Sequence, residues 1–288
     1  MTKFFVATRQ LNEKNASKRA ADTEVVLNEV HDREPGSDSH LMGIARMNYL
    51  HARYRKAGKI LDEDMLHTLG SAVVDIVRGV DKGEWRQLTD VERRAIGVFH
   101  KALGDAMEIS FTFLPSHKTG WRGGMELAKC NMPDPLMPLI ESIVYAKFEQ
   151  RFEKPGLVDT AFDKGILSMR KFILRYLSLP RPDSKAVRVL SESPDPKTGL
   201  YTWNLWIEHP WYVKPTFSHR WDPKALLVRL FGNGAIPAAN GSYKESGYDL
   251  RTIGPAAQER KGQDEMETIF LILKGTNYAA GCPFHARV

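Results

Sequence analysis

Two cysteines, Cys130 and Cys282, are all that the 288 residues contain. Two cannot build a disulfide framework or a four-cysteine zinc site, so a reducing compartment is the natural reading. No stretch approaches the about 18 consecutive apolar residues of a membrane-crossing helix, and no secretory apolar segment follows Met1. On that ground the chain reads as soluble. Familiar catalytic signatures are also missing: no Gly-x-Ser-x-Gly, no P-loop, no His-Glu-x-x-His and no EF-hand loop occurs. Gly232-Asn-Gly234 follows a helical stretch instead of joining a strand to one, so it is a poor dinucleotide signal. His67 and His100 have no metal-like spacing to each other.

What is present is ordinary for a globular chain, with 42% hydrophobic and 26% charged residues. The net charge of +6 and a pI near 9.2 raise the question of nucleic acid. The basic residues are scattered and no finger, homeodomain, RNA-recognition or basic-zipper pattern appears, so they read as a solvated surface and no nucleic-acid partner is expected.

The first two-thirds of the chain predict helices. Ser17 to Val30 consists of good helix formers, and Asp38 or Ser39 is the expected N-cap of a second helix that Gly58 stops. Asp62, Glu63 and Asp64 crowd the first turn of a third, whose residues Met65, Leu66, Leu69, Val73, Ile76, Val77 and Val80 keep the 3.6-residue period. Thr89-Asp-Val-Glu92 is a capping box for a helix to about Ile109. Phe111–Gly124 reads as loop, Pro135 to Phe152 as helix, and Thr160-Ala-Phe-Asp163 as the box of a helix ending before Pro180.

Beyond Pro180 the pattern turns to aromatic and proline mixtures such as Glu208-His-Pro-Trp-Tyr-Val-Lys-Pro215, expected to wrap a core irregularly. Val187–Ser191 and Tyr201–Ile207 could pair as a hairpin. Asp222 as N-cap with Pro223 at the first helical position opens a short helix that Gly232 closes, and Asp264–Lys274 forms the last. The expectation is an all-α fold in one domain over residues 1–288. Its helical core covers about 15–180 and its C-terminal wrap about 181–288.

Three groups of residues invite a chemical reading. His51 lies in an otherwise apolar stripe with Leu41, Ile44, Met47 and Tyr54. It is either a core histidine with satisfied nitrogens or a neutral imidazole available to iron. Arg46, Arg53, Arg55 and Lys56 on the same helix are either a solvated face or cations for the carboxylates of a bound porphyrin. Arg19, Asp22 and Thr23, at i, i+3 and i+4, read as one polar side of the first helix. They form either an intrahelical pair with an ordinary threonine or a cluster facing a cofactor. No Cys-x-x-Cys-His occurs, which excludes covalent c-type haem attachment.

Several stretches, taken in order, carry a family resemblance. They are Arg19-x-x-Asp22-Thr23, Ile44-Ala-Arg-Met-Asn-Tyr-Leu-His-Ala-Arg-Tyr-Arg-Lys-Ala-Gly58, Asp64-Met-Leu-His-Thr-Leu69, Glu84-Trp-Arg-x-Leu-Thr-Asp90, Ala95-Ile-Gly97 and Gly104-Asp-Ala-Met107. Leu177-Ser-Leu-Pro-Arg-Pro182, His209-Pro-Trp-Tyr-Val-Lys-Pro-Thr216 and Gly281-Cys-Pro-Phe284 continue the series. Together they resemble the fungal MpaB-type oxygenases, a family named for mycophenolic acid biosynthesis and distantly similar to bacterial latex-clearing protein, the rubber oxygenase.

The resemblance implies a globin-like helical bundle around a b-type haem and an enzyme of secondary metabolism. Such an enzyme would use dioxygen to cleave or oxygenate a carbon–carbon double bond of an apolar, isoprenoid-type substrate. The Arg-x4-His-Ala-x-x-Arg setting in which latex-clearing protein ligates its iron falls on Arg46, His51, Ala52 and Arg55. His51 thereby becomes the expected iron ligand, with Arg46 and Arg55 as cofactor-binding residues. Arg19, Asp22 and Thr23 fall on the distal-pocket positions, where aspartate replaces a lysine of the bacterial relatives. That replacement removes an amine ligand and allows Asp22 to handle a proton, while Arg19 and Thr23 would polarise dioxygen.

The open alternatives are another haem reaction (peroxygenase, hydroxylase or non-redox rearrangement) and a haem-free basic binding protein. Most fungal relatives carry an N-terminal membrane anchor and this sequence shows none. The expectation is therefore cytoplasmic, or associated with the endoplasmic reticulum if an anchor precedes it. Peripheral membrane association is considered for the aromatic-proline stretch Trp203–Trp221.

Overall fold

Good helix formers and one close approach between backbones set the first packing unit. The computed structural model describes residues 15–112, 157–178, 189–206, 209–231, 235–255 and 257–276. Helix α1 runs Ala16–Asp32 and α2 runs Asp38–Lys56. Val25 and Val30 of α1 and Ile44 and Ala45 of α2 are all fully out of solvent. Gly43 permits the contact, since a β-carbon there would stand 3.1 Å from Val30 Cγ2 and 3.6 Å from Glu29 Cβ. The cap of α2 is Ser37, one residue ahead of the expected Asp38. Its extended backbone lets its hydroxyl accept from the His40 N–H at 3.3 Å.

The chain divides into two compact units, 1–60 with 185–279, and 61–184 with 280–288. The helical core read as one block from about 15 to 180 is thus split after Ile60. In the first unit α2 packs against α1 and against the last helix, α8, Gln263–Gly275. Met266, Phe270 and Leu273 are the buried stripe of α8. The aromatic-proline segment belongs to this unit as well, and Trp203, Trp206, Tyr212, Val213 and Tyr248 are part of its core. Single antiparallel bridges, Leu190 with Trp203 and Tyr201 with Tyr248, stand where a hairpin was expected. Trp203 N–H donates to the Tyr212 carbonyl at 3.0 Å, so a third segment takes the donor that a regular ladder would have used. Two short helices follow, α6 Phe217–Trp221 and α7 Pro223–Phe231. Asp222 caps α7 as predicted, its Oδ1 accepting from the Ala225 N–H at 2.6 Å.

The second unit holds α3 (Asp62–Gly83), α4 (Asp90–Ala106) and α5 (Leu157–Phe172), the last continuing as a π-helical turn over Ile173–Leu177. The three acids of the α3 first turn and the Thr89–Glu92 capping box are in place. Thr89 N–H donates to Glu92 Oε2 at 2.8 Å while Glu92 N–H donates to Thr89 Oγ1 at 3.3 Å. Asp81 gathers three partners. Its carboxylate takes Arg93 at 2.5 Å and the Leu88 N–H at 2.9 Å, and its carbonyl takes Lys171 Nζ at 3.0 Å. Helix α5 is already formed at Leu157, so Thr160 lies inside it and is not its cap. The predicted helix Pro135–Phe152, nearly all of the Phe111–Gly124 loop and the stop at Gly232 lie outside the described residues. Within those residues the structure is all-α, without a β-strand beyond the two bridges.

Candidate functional site

Helix geometry sorts the six expected site residues, all of which belong to the first unit. At about 100° per residue, a position five along lies about 140° round the helix, whereas one four along is displaced by only about 40°. His51 and Arg55 therefore share a side of α2, and Arg46 looks elsewhere.

Arg46 is fully buried. Its Nε donates to the Ile253 carbonyl at 2.7 Å, one terminal nitrogen to Lys261 at 3.0 Å and the other to Gln258 at 3.1 Å. The guanidinium also lies 5.1 Å from the Tyr49 ring centre. Read from sequence as a haem-propionate partner, it serves here as a clamp on the chain between Ile253 and Lys261. Backbone carbonyls occupy all three of its nitrogens, in a place closed to solvent.

His51 is a different case. Its Nδ1 is out of solvent with no hydrogen-bond partner. Burial, followed by the nearby Arg19 and Arg55 guanidinium groups, lowers its pKa from 6.5 to about 4, so the imidazole is neutral at physiological pH. Arg19 donates to Thr23 Oγ1 at 2.5 Å, and that hydroxyl donates in turn to the Arg19 carbonyl at 2.8 Å. Thr23 thus holds the arginine that faces the histidine. Burial depresses the Arg19 pKa, with Asp22 and Tyr54 opposing the shift.

Asp22 does not join this group. At i+3 it lies about 60° to one side of Arg19, while Thr23 at i+4 lies about 40° to the other. The carboxyl is buried, accepting from Lys18 Nζ at 2.7 Å and from the Tyr212 hydroxyl at 2.6 Å. Burial raises its pKa, and Lys18 and Tyr212 work in the other direction. The expected side of Arg19, Asp22 and Thr23 is thus two sites: one toward His51, the other a tie to the C-terminal segment.

A second tie was not foreseen. Glu29, fully buried, takes the Arg33 guanidinium through both oxygens, at 2.7 and 3.0 Å, and the Tyr248 hydroxyl at 2.5 Å. Lys18 and Asp22, like Glu29 and Arg33, stand at i,i+4, a spacing legible in the sequence. Their tyrosine partners, 190 and 219 residues downstream, were not. His40 was also missed: fully buried, it sits against the backbone of Val30, and burial lowers its pKa to about 4.

The site can offer a neutral imidazole and two cations. Among the described residues no cluster of three or more His, Cys, Asp and Glu could chelate a metal ion. A haem asks for one axial side chain and for cations at its two carboxylates. His51, with an orphaned buried ring nitrogen and flanked by Arg19 and Arg55, fits that demand. Arg46 does not.

An all-α protein with a half-buried histidine between arginines is the class that fold and site define, and comparison with known proteins narrows it. The chain is 34% identical over 307 residues to the ER-bound oxygenase mpaB' of Penicillium brevicompactum, covering 93% of this chain and 72% of that protein. It is 37% identical over 240 residues to the ER-bound oxygenase mpaB of the same species, with 79% and 61% covered. Over 123 residues it is 42% identical to the ER-bound oxygenase mpaB of Penicillium roqueforti, with 42% and 41% covered. The chain belongs to the MpaB-type oxygenase family. No protein-family model and no solved structure matches it. Among the described residues no helix is long and apolar enough to cross a membrane.

Proposed function

We propose that this chain is a haem b-dependent oxygenase of secondary metabolism. It uses dioxygen to cleave or oxygenate a carbon–carbon double bond of a small apolar, isoprenoid-type substrate. The oxygenase names of its relatives support the reaction class, and the observation that carries the cofactor is His51. A neutral imidazole with an unpartnered buried nitrogen is costly to keep unless something binds it.

Bound haem would supply the iron that activates dioxygen. His51 would hold it through a ring nitrogen, a role that requires the neutral form it already favours. Arg55, on the same side of α2, and Arg19 from α1 are the cations suited to the propionate carboxylates. Thr23 fixes Arg19 through the 2.5 Å contact and so orients it. Asp22 keeps its contacts with Lys18 and Tyr212, and any proton it handles would pass through that pair.

The test is spectroscopic. Purified protein reconstituted with hemin should show a strong Soret band that His51→Ala abolishes and Arg55→Gln weakens. Protein that refuses hemin, or a band unchanged in His51→Ala, would overturn the assignment. Products formed under isotopically labelled dioxygen then decide the reaction. Label in both carbonyl fragments supports cleavage, label in one hydroxyl supports hydroxylation, and unlabelled product indicates rearrangement.

A further inference from the structure

The aromatic-proline stretch considered for membrane association sends several of its large side chains into the interior. Trp203, Trp206, Tyr212 and Val213 are 4% exposed or less. The character reverses at Phe217, which is 81% exposed, and Trp221, Leu227 and Leu230 follow at 52%, 59% and 71%.

Helices α6 and α7 have an inner and an outer side. On the inner side His219 meets the buried Trp206 ring edge-on at 5.7 Å, its Nδ1 lies 2.9 Å from the Lys214 carbonyl, and Ala225 is fully buried. On the outer side of α7, Leu226, Leu230 and Leu227 fall within an arc of about 100°, the width of an amphipathic stripe. Arg229 borders it and places its guanidinium 4.1 Å from the centre of the Trp221 ring, beside Phe217 at 6.4 Å. The stripe and the two aromatic rings thus adjoin through one arginine. Helix α5 also exposes apolar residues, Ile166, Leu167, Met169 and Phe172, which point in different directions around the helix and define no single face.

We infer that the outer side of α6–α7 is a docking surface for an anionic lipid bilayer. Charge complementarity selects that occupant. Residues 217–231 contain Arg220, Lys224 and Arg229 against one acid, Asp222, and that acid is spent capping α7. Exposed leucines flanked by basic residues, with tryptophan and phenylalanine alongside, are the composition of a helix that lies in the headgroup layer. Arginine stacked on tryptophan can meet lipid phosphate while the ring and the leucines enter the acyl boundary. The surface uses no residue assigned to the haem reading and stands or falls without it.

Vesicle sedimentation of the full chain tests the inference, with phosphatidylcholine vesicles compared with vesicles also containing phosphatidylserine. The wild type should sediment with the anionic vesicles and be released by salt. At about fivefold per charge, Arg220→Gln with Arg229→Gln should weaken binding roughly 30-fold. Leu227→Gln with Leu230→Gln should abolish it while leaving Tm and circular dichroism unchanged, because both side chains are exposed. Wild type that ignores anionic vesicles would overturn the inference, as would variants that bind like wild type. A concentration-dependent dimer broken by the leucine variants, without vesicle binding, would assign the face to a second copy instead.

Discussion

Replacing Arg46 distinguishes a clamp from a cofactor ligand. Its guanidinium makes three hydrogen bonds of 2.7–3.1 Å to the carbonyls of Ile253, Lys261 and Gln258, in a fully buried position. A hydrogen bond from a charged donor is worth about 1.5–3 kcal/mol, and a buried carbonyl left without a donor costs about 1–3 kcal/mol. Water entering the space left by Arg46→Ala would satisfy part of that need, and the stacking on Tyr49 adds about 0.5–1 kcal/mol to the loss. The expected destabilisation is on the order of 3–5 kcal/mol, a large share of the about 5–15 kcal/mol that holds a typical domain together. Arg46→Lys keeps the charge but lacks the fork, so it should reach fewer of the three carbonyls and recover about half of the loss. Urea unfolding of cofactor-free protein measures the energies. Amide exchange localises them, with protection falling first between Asp249 and Gly262. If Arg46→Ala unfolds within about 1 kcal/mol of wild type yet no longer takes up hemin, the clamp reasoning is wrong and the arginine serves the cofactor.

Two further outcomes follow from the same geometry. His40 and His51 both have pKa values lowered from 6.5 to about 4 by burial, so the unfolded chain binds protons that the folded chain refuses in that window. Stability should be fully present above about pH 6.5 and fall as the pH drops toward 4, by at most roughly 3 kcal/mol per histidine. The raised pKa of Asp22 acts in the opposite sense. Urea midpoints across this range check the slope, which His51→Gln should make shallower; a flat profile would refute it. Gly262 caps α8 at φ +70°, and a β-carbon there would stand 1.9 Å from the Tyr49 ring. Gly262→Ala should therefore lower Tm through about 1–2 kcal/mol of left-handed strain plus the displaced ring. An unchanged Tm would show that Tyr49 moves freely.

Legibility in the sequence followed the range of the interaction. The capping box at Thr89, the acids at Asp62–Asp64 and the Asp222–Pro223 start of α7 are contacts among neighbours, and each stands where the residues predict it. The His51 setting was readable as a motif, whereas the neutral imidazole and its unpartnered Nδ1 were not. Arg46 belonged to the same motif, but nothing local reveals that three carbonyls more than 200 residues away would take its donors. Arg19 and Asp22 stay electrostatic neighbours but take different hydrogen-bond partners, Thr23 for the one and Lys18 with Tyr212 for the other. The Tyr212 and Tyr248 ties, like the split after Ile60, arise from long-range packing that no local pattern encodes.

The first unit is assembled from both ends of the described chain, with 61–184 as an insertion between its halves. Helices α1 and α2 leave the ribosome long before Tyr212, Tyr248 and the carbonyls of Ile253, Gln258 and Lys261 exist to meet Asp22, Glu29 and Arg46. During synthesis those two helices must wait, with charges that will be interior still hydrated and valines that will be core still exposed. Closing a loop of this length slows folding more than it weakens the product, because its entropy grows only logarithmically while contact order grows in proportion. The inserted unit, whose described helices are complete well before the last strap appears, is free to fold first. Translation speed and holding chaperones should therefore govern the yield of this protein more than its final stability does.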